Sequence, residues 1–351
     1  MAVATLVALR PLGLGDLLTG VPAIRALARA FPEHRRILAA PAALAPLALH
    51  AGGIDAVHHT VPGAALDAAL GQADVAVDLH GKGPESHRVL LAARPRRLIA
   101  FANTAVGESS AGPEWRFDEH EVARWCRMLT KSGVPADPVD LDLDPPPVPV
   151  PASLSGATLI HPGAASEARR WPAERFAEVA RVESESGRRV VVTGSRQEVA
   201  LAAHVAELGG LPRSAVLAGR TDLLTLAALV ATAGRVVCGD TGVGHLATAL
   251  RTASVVLFGP VSPAHWGPPP DRPWHRVLWA GRTGNPHSDR PDRGLLDIGV
   301  EDVLEALAEL GPPSDGNPKV AAWSRSRSLA ASLHRSASPS KSSRSARALR
   351  S

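Results

Sequence analysis

Residues 140–151 read DLDLDPPPVPVP, and five of those twelve positions are proline. A proline fixes φ and has no N–H to donate, so neither a helix nor a central strand continues through such a run. The segment is expected to be a stiff, extended connector. It divides the chain into a front domain over residues 1–144, a linker over 145–155, and a rear domain over 156–311. On both sides short apolar runs alternate with helical periodicity. The front half offers strands at 4–9, 36–40, 75–79 and 98–101 and a helix at 16–30. The rear half offers strands at 158–161, 189–193, 215–217, 235–238 and 254–258, with helices at 173–186, 197–208, 223–233 and 300–310. Strand–helix alternation of this kind specifies parallel sheets covered by helices. The expected fold is therefore α/β: two Rossmann-like α/β/α domains facing across a cleft.

The remaining composition narrows the setting. The net charge of +4 is concentrated after residue 312, where eight Lys or Arg meet one acid, Asp315. A tail of +7 leaves the rest of the chain at −3, which excludes a basic nucleic-acid-binding body. With twelve serines and no hydrophobic period, residues 312–351 are expected to be a disordered, solvated tail. Cys126 and Cys238 lack metal or redox spacing, and the expectation is a reducing, cytoplasmic setting. No apolar run reaches the roughly 18 residues of a membrane span. The apolar N-terminal stretch has no basic start and runs into Arg10 and a glycine loop, so it reads as a buried strand and not a signal peptide.

Three strand-to-helix junctions carry the chemistry. The first, Arg10 to Leu18, has Gly13 and Gly15 where the chain must turn sharply, then Asp16 at a helix start. As a dinucleotide fingerprint it fails, because Leu18 stands where a third small residue is required. An acid there is ordinarily a helix cap; facing a cleft it is a general base. The second junction runs from His161-Pro162-Gly163-Ala164 to Arg169-Arg170-Trp171-Pro172. Small residues and guanidinium groups suit a diphosphate, and a solvated basic loop is the plainer alternative. The third is Asp240-Thr241-Gly242-Val243-Gly244-His245. Thr241 and Gly242 would open a helix, where free N–H groups attract phosphate, while Asp240 would orient the loop. His245 reads as structural.

Lesser signals are Thr193-Gly194-Ser195 with Glu198, a strand-end loop whose acid could accept ribose hydroxyls, and Asp78-Leu79-His80-Gly81-Lys82, which could face an acceptor. Asp140-Leu141-Asp142 matches a metal-binding D-x-D pattern, but it runs straight into the prolines and is read as linker. No metal site is expected.

Together the runs RPLGLGDLLTGVPAIRAL from Arg10, HPGA…RRWP from His161 and GDTGVGHLATAL from Gly239 resemble glycosyltransferase family 9, the ADP-heptose:lipopolysaccharide heptosyltransferases. The resemblance covers about residues 3–310. It implies the two-domain fold called GT-B, with the nucleotide held mainly by the rear half, and an inverting, metal-independent transfer without a cofactor. The substrates it implies are a nucleotide-diphosphate sugar such as ADP-heptose and a glycan, glycolipid or small-molecule hydroxyl acceptor, with room for contact at the inner face of a membrane. Asp16 corresponds to the catalytic aspartate, with Gly13 and Gly15 shaping its loop. Arg169 stands where the family has a phosphate-binding lysine, Thr241 and Gly242 match the diphosphate loop, and Glu198 matches a ribose-binding acid. Gly83-Pro84 interrupts the acceptor-side loop, so acceptor identity does not carry over. Two alternatives stay open: a nucleotide-sugar epimerase of related fold, and a nucleotide-binding scaffold without catalysis.

Overall fold

The computed structural model describes residues 3–66 and 72–310. The expected tail, residues 312–351, lies outside the described residues. Among the described residues ten strands form two five-stranded sheets. The front sheet holds β1 (Thr5–Leu9), β2 (Arg35–Ala40), β3 (Ala56–His59), β4 (Val75–Asp78) and β5 (Arg97–Ile99) in the order β3-β2-β1-β4-β5. The rear sheet holds β6 (Thr158–His161), β7 (Val190–Val192), β8 (Arg235–Gly239), β9 (Ser254–Phe258) and β10 (His275–Trp279) in the order β10-β9-β8-β6-β7. Every pairing is parallel. A parallel sheet is covered on both faces, which is why its central strands read as unbroken apolar runs and not as alternation.

A single parallel bridge, Val192 to Val216, continues the rear sheet beyond β7. The strand expected at 215–217 is thus reduced to one pair, but it occupies the position that completes the same order in both halves. In that order the chain leaves the first strand to one side and returns on the other. The strand ends diverge there and open a crevice, between β1 and β4 in front and between β6 and β8 behind. All three chemistry-bearing junctions of the sequence begin at one of these four strand ends.

Edge strands β3 and β10 escape sequence reading because AVHH and HRVLW mix charged or imidazole side chains into short runs. The helix after β1 spans Leu14–Ala30 and buries Leu17, Leu18, Val21, Ile24 and Leu27 at helical spacing. One continuous apolar cluster runs from Leu6, Leu17 and Leu18 of the front half to Val243, Leu246 and Leu250 of the rear half. Leu141 and Leu143, just before the prolines, are also buried. Among the described residues no helix is long and apolar enough to cross a membrane. Both cysteines are free and buried.

The front crevice is organised by Arg10, whose side chain is fully buried at the end of β1. Its guanidinium donates to the Asp16 and Leu79 carbonyls. It also donates to Thr19 Oγ1 at 3.0 Å and Glu121 Oε1 at 3.2 Å. The face of Trp125 lies 5.1 Å away. One side chain thereby ties the ends of β1 and β4 to the helices Leu14–Ala30 and Glu121–Lys131. Removing one member of a buried charged network leaves its partners desolvated and unpaired. Arg10→Met should cost about 3–5 kcal/mol of stability in urea denaturation, and a cost under about 1 kcal/mol would place Arg10 among ordinary surface pairs.

Candidate active site

The helix Leu14–Ala30 starts at the end of β1, and the helix Gly242–Ala249 starts at the end of β8. Their N-termini touch across the gap between the halves. A Cβ built on Gly15 would lie 2.7 Å from His245 Cδ2 and 3.7 Å from Gly242 Cα. One built on Gly242 would meet the Leu14 side chain at 2.7–3.0 Å. Glycine at both positions is therefore a steric requirement of the interface. Two helix N-termini brought together concentrate positive potential from unpaired N–H groups.

Two carboxylates sit at this junction. Asp16 Oδ2 accepts from the Gly13 N–H at 3.2 Å, so the side chain does cap its helix. It is nonetheless 26% exposed, with its other oxygen 3.9 Å from Arg10. Asp240 is 7% exposed. Burial raises its pKa to about 6; Arg169 opposes that shift and the charge of Asp16 adds to it. The approach of Gly15 to Gly242 and His245 brings the front carboxylate near the rear half, close enough for its charge to act on Asp240. The guanidinium of Arg169 ends a short 3₁₀ turn and approaches Asp240 Oδ2 at 4.0 Å.

Polar atoms without partners cluster here. Arg169 Nε is buried and unpaired, and so is Thr241 Oγ1 apart from the neighbouring Cys238 thiol. Orphaned buried donors cost stability and ask for an explanation, and a ligand between them supplies one. A cavity of about 10 Å³ opens beside Thr241, lined by Asp240, His245, Thr248 and Trp266 among others. His245 stacks edge-on against Trp266 with ring centroids 5.9 Å apart. Burial, reinforced by His120, lowers its pKa to about 4, so the ring is neutral near pH 7. His245 is a wedge between the halves.

The second rear cluster lies at the ends of β6 and β7. Glu198 accepts from the Ser195 N–H at 2.7 Å. Its carboxylate fills the space a Cβ on Gly163 would occupy, 2.0 Å from Oε1, and its Cβ lies 3.1 Å from that of a side chain at Gly194. Thr193 changes from the expected ligand group: its side chain is fully buried, with Oγ1 3.1 Å from His161 Nδ1. It supports the loop from below.

Asp78 changes role as well. It is fully buried and accepts from Ser86 Oγ at 2.5 Å and from the His80 and Gly81 N–H groups at 2.7 and 3.3 Å. Burial lifts its pKa to about 6 against the pull of those hydrogen bonds. It cannot meet an acceptor; it holds the loop that carries His80 and Lys82. His80 lies in the fields of both Arg10 and Asp16, and burial lowers its pKa. The Lys82 ammonium rests 4.7 Å over the exposed ring of Phe117. Sequence reading missed the structural weight of Arg10, and also Glu121, His120 and Trp266. A charge closing an apolar strand was a usable signal for Arg10; nothing local marked the other three.

The D-x-D carboxylates are occupied by arginines. Asp140 pairs with Arg25 and Arg29, each at 2.7 Å. Asp142 pairs with Arg272 at 2.8 Å and with Arg251 at 3.6 Å.

The profile described as glycosyltransferase family 9 (heptosyltransferase) matches residues 114–293, just over half of the chain. Lipooligosaccharide heptosyltransferase 2 of Haemophilus influenzae is 30% identical over 159 residues, which is 42% of this chain and 45% of that protein. The chain thus spans a little under half the length of the curated relatives it matches. Among solved structures, E. coli ADP-heptose lps heptosyltransferase II superposes with a TM-score of 0.69 at 22% identity, covering 87% of this chain and 98% of that one. A family 9 glycosyl transferase from Veillonella parvula gives a TM-score of 0.71 at 19% identity, covering 88% of this chain and 98% of that one. These superpositions show that the fold is of the GT-B kind.

An anion entering beside Asp240 should raise its pKa further and draw in a proton. A non-titrating anion such as sulfate should therefore bind there with net proton uptake at about pH 6.5. Calorimetry in buffers of different ionisation enthalpy measures this, and equal uptake by Asp240→Asn would contradict the assignment.

Proposed function

Because the chain belongs to glycosyltransferase family 9, we propose that it transfers a heptose-like sugar from a nucleotide-diphosphate donor to a hydroxyl acceptor, with inversion and without a metal. ADP-heptose, named for the E. coli enzyme of the same fold, is the donor we assign. The acceptor is a cell-envelope glycan, a glycolipid or a small hydroxylated molecule. The reaction belongs in the cytoplasm, at the inner membrane face where the acceptor is lipid-linked. The observation that carries this reading is the approach of the starts of the helices Leu14–Ala30 and Gly242–Ala249, with Asp16 on one side and Asp240, beside Arg169, on the other.

Transfer needs a deprotonated nucleophile and a stabilised leaving group. The acceptor oxygen loses its proton to the Asp16 carboxylate and forms a new bond to the anomeric carbon. The bond from that carbon to the diphosphate oxygen breaks on the opposite face, and its electron pair leaves with the nucleoside diphosphate. A single displacement of this kind inverts the anomeric centre. General-base help contributes roughly 10²–10⁴-fold. The growing charge on the diphosphate would be met by Arg169, the Thr241 hydroxyl and the N–H groups that open the helix Gly242–Ala249. Gly163, Gly194 and Glu198 would seat the ribose. Contact between the halves would exclude the water that otherwise hydrolyses the donor.

Asp16→Asn should lower kcat by roughly 10²–10⁴-fold while donor affinity, measured by calorimetry, stays within about twofold; equal loss of both would remove Asp16 from the chemistry. Arg169→Ala should weaken nucleoside diphosphate binding by about tenfold, or 1.4 kcal/mol, with nucleoside affinity unchanged. An unaltered diphosphate dissociation constant would refute that role. Product analysis separates the transferase from an epimerase: inverted glycoside plus nucleoside diphosphate, against an epimer formed without acceptor.

A further inference from the structure

The acid pair that resembles a metal motif has a use in the fold that its sequence pattern conceals. Asp140 grips the front half. Its two carboxylate oxygens take Arg25 and Arg29, one turn apart on the helix Leu14–Ala30, each at 2.7 Å. Arg25 also donates to the Asp140 carbonyl at 3.2 Å. Asp142, two residues on, grips the rear half. Its Oδ1 forms an ion pair with Arg272 at 2.8 Å without hydrogen-bond geometry, and Arg272 Nη1 donates to the Thr248 carbonyl at 2.9 Å. The backbone follows the same route, with the Leu143 N–H donating to the Ala249 carbonyl at 2.8 Å. Thr248 and Ala249 close the helix Gly242–Ala249.

The helices gripped here, toward their C-terminal ends, are the two whose N-termini carry Asp16 and Thr241. Between the grips, Leu141 packs against Val122 and Cys126, which keeps the segment from sliding. We propose that Asp140 and Asp142 form a two-sided ionic clasp that sets the angle between the halves, and with it the distance between Asp16 and the rear anion site. They are positioning residues: neither is placed among the groups that meet substrate. Their carboxylates are 27% and 28% exposed, so the clasp is open to screening by salt. Ionic strength therefore tunes the freedom of the halves to move.

The test reads distance and so stands apart from the transferase reading. Dyes are placed at Val61→Cys in the front half and Leu208→Cys in the rear, both exposed positions. The native thiols do not compete: Cys126 and Cys238 are buried, and burial pushes each pKa up to about 12. In the labelled protein the energy-transfer distribution should be narrow at low salt and broaden toward ~1 M, where the Debye length falls to about 3 Å, the length of the ion pairs. Asp142→Ala and Asp140→Ala should be broad at all salt concentrations. Asp55→Ala, which removes an ion pair to Arg36 confined to the front half, should behave like the parent. In the transfer assay, Asp142→Ala should lower kcat roughly tenfold, the scale of a small misplacement of reacting groups, with the donor dissociation constant unchanged. A distribution that stays narrow in Asp142→Ala overturns the clasp, even if the variant melts at lower temperature, because its acids would then be ordinary stabilising pairs. Loss of catalysis in Asp16→Asn bears on the transferase reading alone.

Discussion

Two helices approach by their N-termini until Gly15 of one touches Gly242 and His245 of the other. That contact sets conditions on everything around it. It leaves no room for a β-carbon on either side, so the first turn of each helix needs a glycine at that position. It brings two positive helix ends together in a buried setting, a repulsive arrangement unless negative charge is supplied. Asp16 and Asp240 supply it from the protein. A diphosphate would supply more, with Arg169 beside it to share the load.

The elements behind the contact serve to hold it. Arg10 draws the ends of β1 and β4 onto the first helix, and Asp78, buried beneath the next loop, fixes the backbone of His80 and Gly81. His245 fills the space left over Gly15 and stays neutral because burial penalises its charged form. The segment 140–143 contacts the same two helices at their other ends. The superpositions place this arrangement in a GT-B fold.

Much of the fold was legible because parallel α/β sheets write strong local signals. Apolar runs such as those of β6 and β9 match their observed limits, Thr158–His161 and Ser254–Phe258. The edge strands β3 and β10 were silent, since an edge tolerates His and Arg on a face that is not fully covered. In the site, glycine loops and helix-start residues such as Gly13, Asp16 and Thr241 could be picked out by type and position. Thr193 and Asp78 could not be judged the same way. Both end strands, as ligand groups do, but whether a strand-end side chain faces the crevice or the core depends on the loop that follows, and both turned inward.

The sequence by itself determined the alternation of strand and helix, the break at the prolines, and which junctions hold small residues beside charge. These are local properties, set by backbone sterics, propensity and hydrophobic period. Only the tertiary structure decided which junctions meet. Asp16 and Asp240 are more than two hundred residues apart, and their proximity follows from strand order and from helices packed across the halves. The same holds for the D-x-D pair. Its chemistry as a string suggests a cation, yet the arginines that claim it come from residues 25, 29, 251 and 272. No reading of neighbours along the chain could have supplied them, because charge is neutralised by whatever the fold brings within a few ångströms.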